Sequence, residues 1–224
     1  MAVITVEGRA VRHLAAERAT VRVRIRFEHP TPVDRTAQDA AAVLREVSTL
    51  ARAEADAGAA TWWGAEPVVT WVEKEWVKPS AHADKVLQQR HVAGAGVQVK
   101  FRDFARMTAF AARANALQGA EVAHVSWALT EKTRDALTSE TRRDAAVDAR
   151  LRAEAYASAL GQNHVTLVHL YEEGLRPAGP YGAKQQSGVG ARNGVTTSGS
   201  TGDLRLRVEE VEVTAVVTAD FETT

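Results

Sequence analysis

The amino-acid sequence predicts an α+β fold, with three helices packed on one face of one or two largely antiparallel, mixed sheets. Seven short runs have the character of strands, and most of them alternate apolar with polar residues. Three longer runs repeat apolar residues with helical spacing. The runs follow one another in the order ββαββαβαββ, and such a mixture of neighbouring strands with helices is typical of α+β proteins.

The first two runs predict neighbouring strands. The first strand covers residues 3–11 and alternates only loosely. The second strand alternates strictly, with Val21, Val23, Ile25 and Phe27 on one face and Arg22, Arg24 and Arg26 on the other. Because only a short break near residues 13–17 separates the two strands, we predict that they pair as a β-hairpin.

The first helix is predicted from its end signals and from one apolar stripe. Thr31 and Pro32 are typical of an N-cap and a first helical turn, and Gly58 is typical of a helix end. The stripe between them contains Ala40, Val43, Leu44, Val47, Ala51 and Ala55. This pattern indicates a helix with one face turned towards a sheet.

Residues 61–78 carry four of the five tryptophans on a background of strand-forming residues. We predict one long strand here, bent near Gly64 and Pro67. Residues 86–101 are its predicted partner, in which Gly94 and Gly96 leave the backbone uncovered on one face. A tryptophan on the neighbouring strand is in position to cover these glycines.

Trp62, Trp71 and Trp76 are candidate ligand-binding residues. Aromatic side chains along a strand can form a slot for a flat ligand or for stacked bases. Aromatic residues at this spacing are more often part of a core or an interface. Both interpretations remain open from the sequence.

The second half of the chain is predicted to contain a helix over residues 103–119, a strand over 122–129, a helix ending at Gly161, a strand over 164–171 and a final strand over 204–221. The helix that ends at Gly161 starts near Thr130 or Thr133. It has a narrow stripe formed by Ala145, Ala149, Ala153, Tyr156 and Leu160. Because alanine protrudes little, this stripe predicts that the helix lies close against a sheet.

Residues 176–203 are predicted to form a long loop within a single domain that spans residues 1–224. They hold seven of the 15 glycines together with serine, threonine, glutamine and proline, and they show no apolar period. Loops longer than about 15 residues are uncommon inside compact domains, and most of them are either functional or disordered.

The composition excludes several classes of function. The 28 basic and 28 acidic residues give a formal net charge of zero, so the chain has no overall attraction to nucleic acid. We expect no specific nucleic-acid binding and a solvated or salt-bridged arginine face on the second strand. The absence of cysteine excludes disulfides and thiolate nucleophiles.

No apolar run approaches the ~20 residues of a membrane-spanning helix, so we expect no membrane span. Strand-like sequence begins at Val3, which leaves no room for a signal peptide and predicts a cytoplasmic protein. If a signal was removed before residue 1, an envelope location is expected instead.

No residue pattern predicts a reaction. The Gly-x-Ser-x-Gly turn of a serine nucleophile is absent. His164 and His169 are five positions apart on a predicted strand, which places them on opposite faces, and the other histidines have no ligand spacing. We therefore predict no catalytic residue, no cofactor, no metal site and no enzymatic activity.

The sequence resembles the SIMPL family, also called the periplasmic and outer-membrane immunogenic protein family, whose function is unknown. The resemblance covers nearly the full chain and depends on five segments in order, namely Ile4-Thr5-Val6-Glu7-Gly8, a second strand ending near Phe27, residues 97–103, the alanine-rich residues 148–161 and residues 211–221. Two features depart from the family. Ala16 and Glu17 replace a frequent Pro-Asp, and the export signal of most members is missing.

The resemblance implies a non-catalytic protein that acts through self-assembly or binding, loosely linked to envelope or stress functions. It also implies ring-like assembly, and we expect a homo-oligomer of more than two subunits. The 176–203 loop is expected at or near the contacts, because a glycine-rich stretch loses much conformational entropy on ordering and has few apolar groups to offset this loss. The alternative to this assembly is a monomer. The candidate assembly residues are Arg22, Arg24, Arg26, Glu210 and Glu212, whose strands are expected to supply paired or exposed edges, and Tyr181 of the loop. The alternative is a small-ligand-binding protein or an enzyme that uses a tryptophan-lined pocket on the 61–101 hairpin.

Overall fold

The computed structural model describes residues 2–29, 33–78, 84–162, 164–177 and 207–223. These residues contain three helices and eight strands, and all strand pairs among them are antiparallel. The predicted α+β class is therefore confirmed. In chain order the elements are β1 (Val3–Ala15), β2 (Arg18–His29), α1 (Val33–Asp56), β3 (Ala60–Ala65), β4 (Val69–Val77), β5 (Val86–Phe101), α2 (Phe104–Asn115), β6 (Ala120–Ala128), α3 (Glu131–Ala159), β7 (Val165–Glu172) and β8 (Glu210–Thr223).

The elements divide into two compact units. The first unit contains β1, α3, β7 and β8, and it is therefore built from both ends of the chain. The second unit contains β2 to β6 with α1 and α2, all of which lie between Glu17 and Ala128. The expectation that residues 1–224 form a single domain stays a prediction.

The first unit is a three-stranded sheet with one helix on one face. The strand order is β1-β8-β7, and β1 pairs with β8 over its whole length. Helix α3 packs against β1 and β8, and the core of the unit contains Val6, Ala145, Ala149, Ala153, Val217, Ala219 and Phe221. Thr130 is the N-cap of α3, as predicted, and Gly161 follows its end with a φ of 73°.

Gly8 is the point of closest approach between β1 and α3. A Cβ atom at this position would lie 2.6 Å from both the backbone nitrogen and the Cβ of Ala149, and it would overlap the carbonyl oxygen of Ala145. Carbon atoms do not approach one another this closely, so residue 8 has no space for a side chain. The glycine of the strand and the alanines of the helix together bring the two backbones into contact.

Only part of the small-residue stripe predicted for α3 faces the sheet. Ala145, Ala149 and Ala153 are fully buried, but Tyr156 is 60% exposed and Leu160 is 67% exposed. The buried positions of the helix recur every four residues, from Leu137 to Ala157. A row with this spacing winds around a helix of 3.6 residues per turn, so the face towards the sheet has moved past Tyr156 by the last two turns.

The second unit is a five-stranded sheet with two helices on one face. The strands follow the order β3-β5-β2-β6, and β4 pairs with β5 on the same side as β3. Helix α1 packs against β2, β3 and β5, and α2 packs against β6 and α1. The residues buried between sheet and helices include Val21, Val23, Ile25, Val97, Val99, Phe101, Met107 and Phe110.

Two predictions about the strands are wrong. The first two strands do not form a hairpin, because β1 pairs with β8 whereas β2 lies between β5 and β6 in the other sheet. The long strand over residues 61–78 is in fact two strands, since pairing with β5 is interrupted between Ala65 and Val69. Pro67 lies in this interruption and has no N–H to donate to a ladder.

Several local predictions are confirmed. The φ angles of Gly58 and Gly119 are 70° and 77°, and Asp103 caps α2 by accepting a hydrogen bond from the backbone N–H of Arg106. Thr31 and Pro32 lie outside the described residues. The same holds for residues 178–203 of the predicted loop and for most of the strand segment predicted over residues 204–208.

Candidate binding surfaces

The three arginines of β2 lie on the face of the five-stranded sheet opposite to α1 and α2, and each is paired with glutamate. Arg22 contacts Glu66 at 2.9 Å and Arg24 contacts Glu121 at 3.1 Å. Arg26 is 3.0 Å from Glu28 and 2.8 Å from Glu73. This arrangement is the salt-bridged sheet face expected from the sequence, in which the positive charges are neutralised by neighbours.

Glu73 connects this charged face to the tryptophans. Its carboxylate accepts a hydrogen bond of 2.9 Å from the indole N–H of Trp71 and another of 2.8 Å from Arg26. These two bonds, the tryptophan bond first, lower the pKa of Glu73 below its ordinary value. The guanidinium of Arg26 also lies 5.7 Å from the centre of the Trp71 ring, so the tryptophan is held on two sides.

Trp71 covers one of the two glycines of β5, as the sequence suggested. A Cβ atom at Gly94 would lie 2.8 Å from the ring of Trp71, so the indole occupies the space of the missing side chain. Gly96 is covered differently, because the carboxylate of Glu66 occupies the equivalent space there. Aromatic cover of a strand glycine restores the contacts that the glycine itself cannot make.

The three candidate tryptophans do not share the cleft beside Trp71. Trp71 lines this cleft of about 270 Å³ together with Arg24, Arg26, Glu66, Pro67, Val69 and Gly94, whereas Trp62 and Trp76 do not line it. Trp76 is 63% exposed and Trp62 is 53% exposed, and Trp62 packs its ring edge over Gly64. Whether any of the three binds a ligand stays a prediction.

The distal parts of β4 and β5 form a two-stranded arm, which we define as residues 73–77 and 86–90. The last pair between β2 and β5 is His29 with His91, so among the described residues the arm has no third strand. Trp76 pairs directly with Leu87, and both are exposed. Val86 is exposed next to them, and because successive strand residues point to opposite faces, the arm presents apolar groups on both of its faces.

The candidate assembly residues are spread over both units. Arg22, Arg24 and Arg26 lie on β2, and the expectation that this strand offers an edge is wrong because it is paired on both sides. Glu210 and Glu212 are exposed on β8. This half of β8 pairs with β1, whereas β7 pairs only with the half from Val217 onwards. Tyr181 lies outside the described residues. A role of these residues in assembly stays a prediction.

A cluster that the sequence did not reveal lies on the first unit, around Asp220. Its carboxylate accepts a hydrogen bond of 2.7 Å from the hydroxyl of Thr5 and bonds of 2.9 and 3.1 Å from one nitrogen of Arg176. His169 lies 3.7 Å away and stacks on Tyr171. The pairing of β7 with β8 shifts between Leu167 and His169, and this irregularity cannot be foreseen from alternation alone.

The described residues contain no group of three or more histidine, aspartate or glutamate side chains that could hold a metal ion. None of the helices in the described part of the chain is long and apolar enough to cross a membrane. The predicted absence of catalytic residues and cofactors stays a prediction.

Comparison with known protein families gives a match over nearly the whole chain. The family SIMPL, described as a protein of unknown function (DUF541), matches residues 4–221. The match confirms the resemblance derived from the sequence and includes strands and helices of both units. A comparison with curated proteins gave no match.

Proposed function

Because the chain belongs to the SIMPL family, whose function is unknown, we propose its function from its own surface: it associates with further copies of itself and performs no catalysis. The expected particle is a homo-oligomer of more than two subunits. The observation that supports this proposal most directly is the two-stranded arm with its exposed apolar residues.

Among the described residues, nothing covers the arm as the helices cover the rest of its sheet. Two strands alone are marginally stable in water, and a third strand or a packed face is usually needed. Trp76 alone leaves more than half of its side chain in contact with water. A buried tryptophan removes ~150–250 Å² from water, so covering its exposed part is worth on the order of 3 kcal/mol.

A second copy of the chain is the partner that suits this surface. Strand β4 has one side paired with β5, and no other described strand pairs with its opposite side. Strand β6 is the other edge of the same sheet. Pairing of the β4 edge of one copy with the β6 edge of the next is a head-to-tail contact, and contacts of this kind form a ring of several subunits when the rotation between neighbouring copies completes a circle.

The test measures the mass of the native particle by light scattering. We expect a wild-type mass of more than two subunits and a shift towards monomer for the double variant Trp76→Ser, Leu87→Ser. Trp62→Ser is the matched control, since it removes an exposed tryptophan outside the arm and should leave the mass unchanged. A monomeric wild type would refute the proposal. An unchanged oligomer in the double variant would show that the arm is not the contact.

The alternative, a small-ligand site or enzyme at the tryptophans, has less support. Ligand pockets usually enclose ~300–1,000 Å³, and the cleft beside Trp71 is smaller than this. The polar atom of Trp71 is already bonded to Glu73, and its ring is packed on Gly94. The link to stress or to the envelope depends on the family resemblance alone, and the cytoplasmic location on the sequence alone.

A further inference from the structure

The carboxylate of Asp220 is buried on the face of the sheet opposite to α3, where the described residues place no helix. On β8 the neighbours Ala219 and Phe221 belong to the core beneath α3, so Asp220 points to the opposite face. Its residue exposure is only 8%, whereas the side chains of His169 and Arg176 beside it are 57% and 43% exposed. Asp220 therefore lies at the bottom of a shallow recess that reaches the solvent beside His169 and is filled by Arg176.

The recess is built from all three strands of the first unit. Thr5 comes from β1 and pairs directly with Asp220 across the ladder. His169 and Tyr171 come from β7, and the shift in register after Leu167 brings His169 opposite Asp220. Because these side chains are positioned by the ladder itself, the shape of the recess does not depend on Arg176.

Arg176 is the one member of the cluster that lies outside the strands. It follows a turn at Gly174, which has a φ of 74°. A single nitrogen, Nη2, makes both bonds to the carboxylate, and the guanidinium carbon lies 5.8 Å from the centre of the Tyr171 ring. The side chain of Arg176 is 43% exposed, so a guanidinium group from the solvent can reach the carboxylate and compete with it.

We infer that Asp220, Thr5 and Tyr171 form a binding site for a guanidinium group, which Arg176 fills from within the chain. A carboxylate beside an aromatic ring suits a planar, delocalised cation, which can donate in a fork and stack at the same time. An ammonium group is a compact point charge that can neither donate in a fork nor stack flat on a ring. The external ligand is an alkylguanidine, either free or as the arginine side chain of a peptide.

This inference does not depend on self-association, since it concerns a different unit and a different test. The principal variant is Arg176→Ala in the full chain, which empties the site while leaving its walls in place. We expect millimolar ethylguanidinium to raise the melting temperature of this variant with saturation, and to raise that of the wild type much less. Ethylammonium at the same concentration should have no such effect.

Two further variants make the test specific. Arg176→Ala combined with Asp220→Asn lacks the carboxylate charge and should not respond to ethylguanidinium. Arg142→Ala is the matched control, because it removes the arginine of another ion pair of the same unit, the one with Glu172. A response of equal size to ethylammonium, or any saturable response of the double variant, would overturn the inference.

A second measurement covers the case in which Arg176→Ala fails to fold. In the wild type, the NMR signal of the Arg176 side chain should move towards that of a free arginine as ethylguanidinium is added. No change up to the concentration that begins to unfold the protein would overturn the inference. A short peptide with one arginine, added in the same way, distinguishes the sources: tighter binding than ethylguanidinium assigns the site to peptides, and equal binding assigns it to free guanidines.

Discussion

The β1–β8 ladder beneath α3 and the β4–β5 ladder of the arm have the same antiparallel pairing but opposite surroundings. The first is covered by a helix that comes within contact of the strand backbone, because Gly8 and Ala149 have almost no side chain between them. The second carries large apolar side chains such as Trp76, which the described residues leave 63% exposed. The small residues of the first ladder allow close contact with a partner within the chain, whereas the exposed side chains of the second leave apolar surface available to a partner outside it.

Substituting larger residues for the small ones between β1 and α3 should lower the free energy of unfolding. Gly8→Ala places a methyl group inside the space of the α3 backbone, so the helix has to move as a whole. We expect a loss of about 3 kcal/mol in the free energy of unfolding, at the upper end of the usual cost of overpacking. Urea denaturation followed by circular dichroism measures it. Glu7→Ala, which changes the exposed side of the same strand, is the control, and equal stability of both variants would contradict the close contact.

A larger residue on the helix tests the same contact from the other side. Ala149→Leu should cost on the order of 1–3 kcal/mol, because the added carbons have no space between α3 and β1. Val147→Leu adds a methylene to the exposed face of the same helix and should be nearly neutral. Thermal melting compares the two variants. If Ala149→Leu melts at the wild-type temperature, the packing argument fails.

One carboxylate in each region has a lowered pKa, but the hydrogen bond that lowers it differs. Titration of Asp148 on α3 and of Glu73 in the arm measures this difference. The pKa of Asp148 is lowered mainly by the backbone N–H of Arg9, whereas that of Glu73 is lowered mainly by Trp71. Both groups have a depressed pKa in the folded state, so their stabilisation is present above the unfolded pKa and is lost as the pH falls through the folded one.

Trp71→Phe removes the indole N–H, so the pKa of Glu73 should rise towards its ordinary value, while that of Asp148 stays where it is. NMR titration of the side-chain carboxyl carbons measures both groups in one sample. A rise at Asp148, or no rise at Glu73, would contradict the assignment of these bonds.

The smallest effect is expected for nucleic acid. Since Arg22, Arg24 and Arg26 are all paired with glutamates, the sheet face offers little positive charge to a phosphate backbone. Fluorescence anisotropy with a labelled oligonucleotide should show weak, salt-sensitive binding that Arg24→Ala does not change. Submicromolar affinity near physiological salt would refute this expectation.

The sequence was sufficient where the signal is local. Asp103, Thr130 and Gly161 mark helix ends through bonds or backbone angles that involve only their own neighbours. The cover of Gly94 by Trp71 was also foreseen, because it needs only one hairpin to form. The predicted alternation of buried and exposed residues in β2 also agrees with the structure, because it depends only on the two-residue period of a strand.

Long-range pairing could not be obtained in this way. The alternation of apolar and polar residues in β1 is the same whether its partner is β2 or β8. The sequence therefore does not distinguish the two pairings, and the predicted hairpin with β2 is wrong. The cluster around Asp220 depends on an irregularity in β7 after Leu167, for which the sequence has no marker. Tyr156 is exposed because the row of buried residues winds slowly around α3. The side of the helix that meets the sheet can therefore be identified only once the position of the sheet is known.

The pairing of Val3 with Glu222 has a consequence for synthesis on the ribosome. The described strands of the second unit all lie between Glu17 and Ala128, so they emerge in one stretch and can pair as they appear. Strand β1 emerges before this unit and its partner β8 emerges after it, and closing so long a loop is slow. We expect β1 to remain an unpaired edge of the nascent chain until β8 has emerged, which is the interval in which a chaperone is most needed.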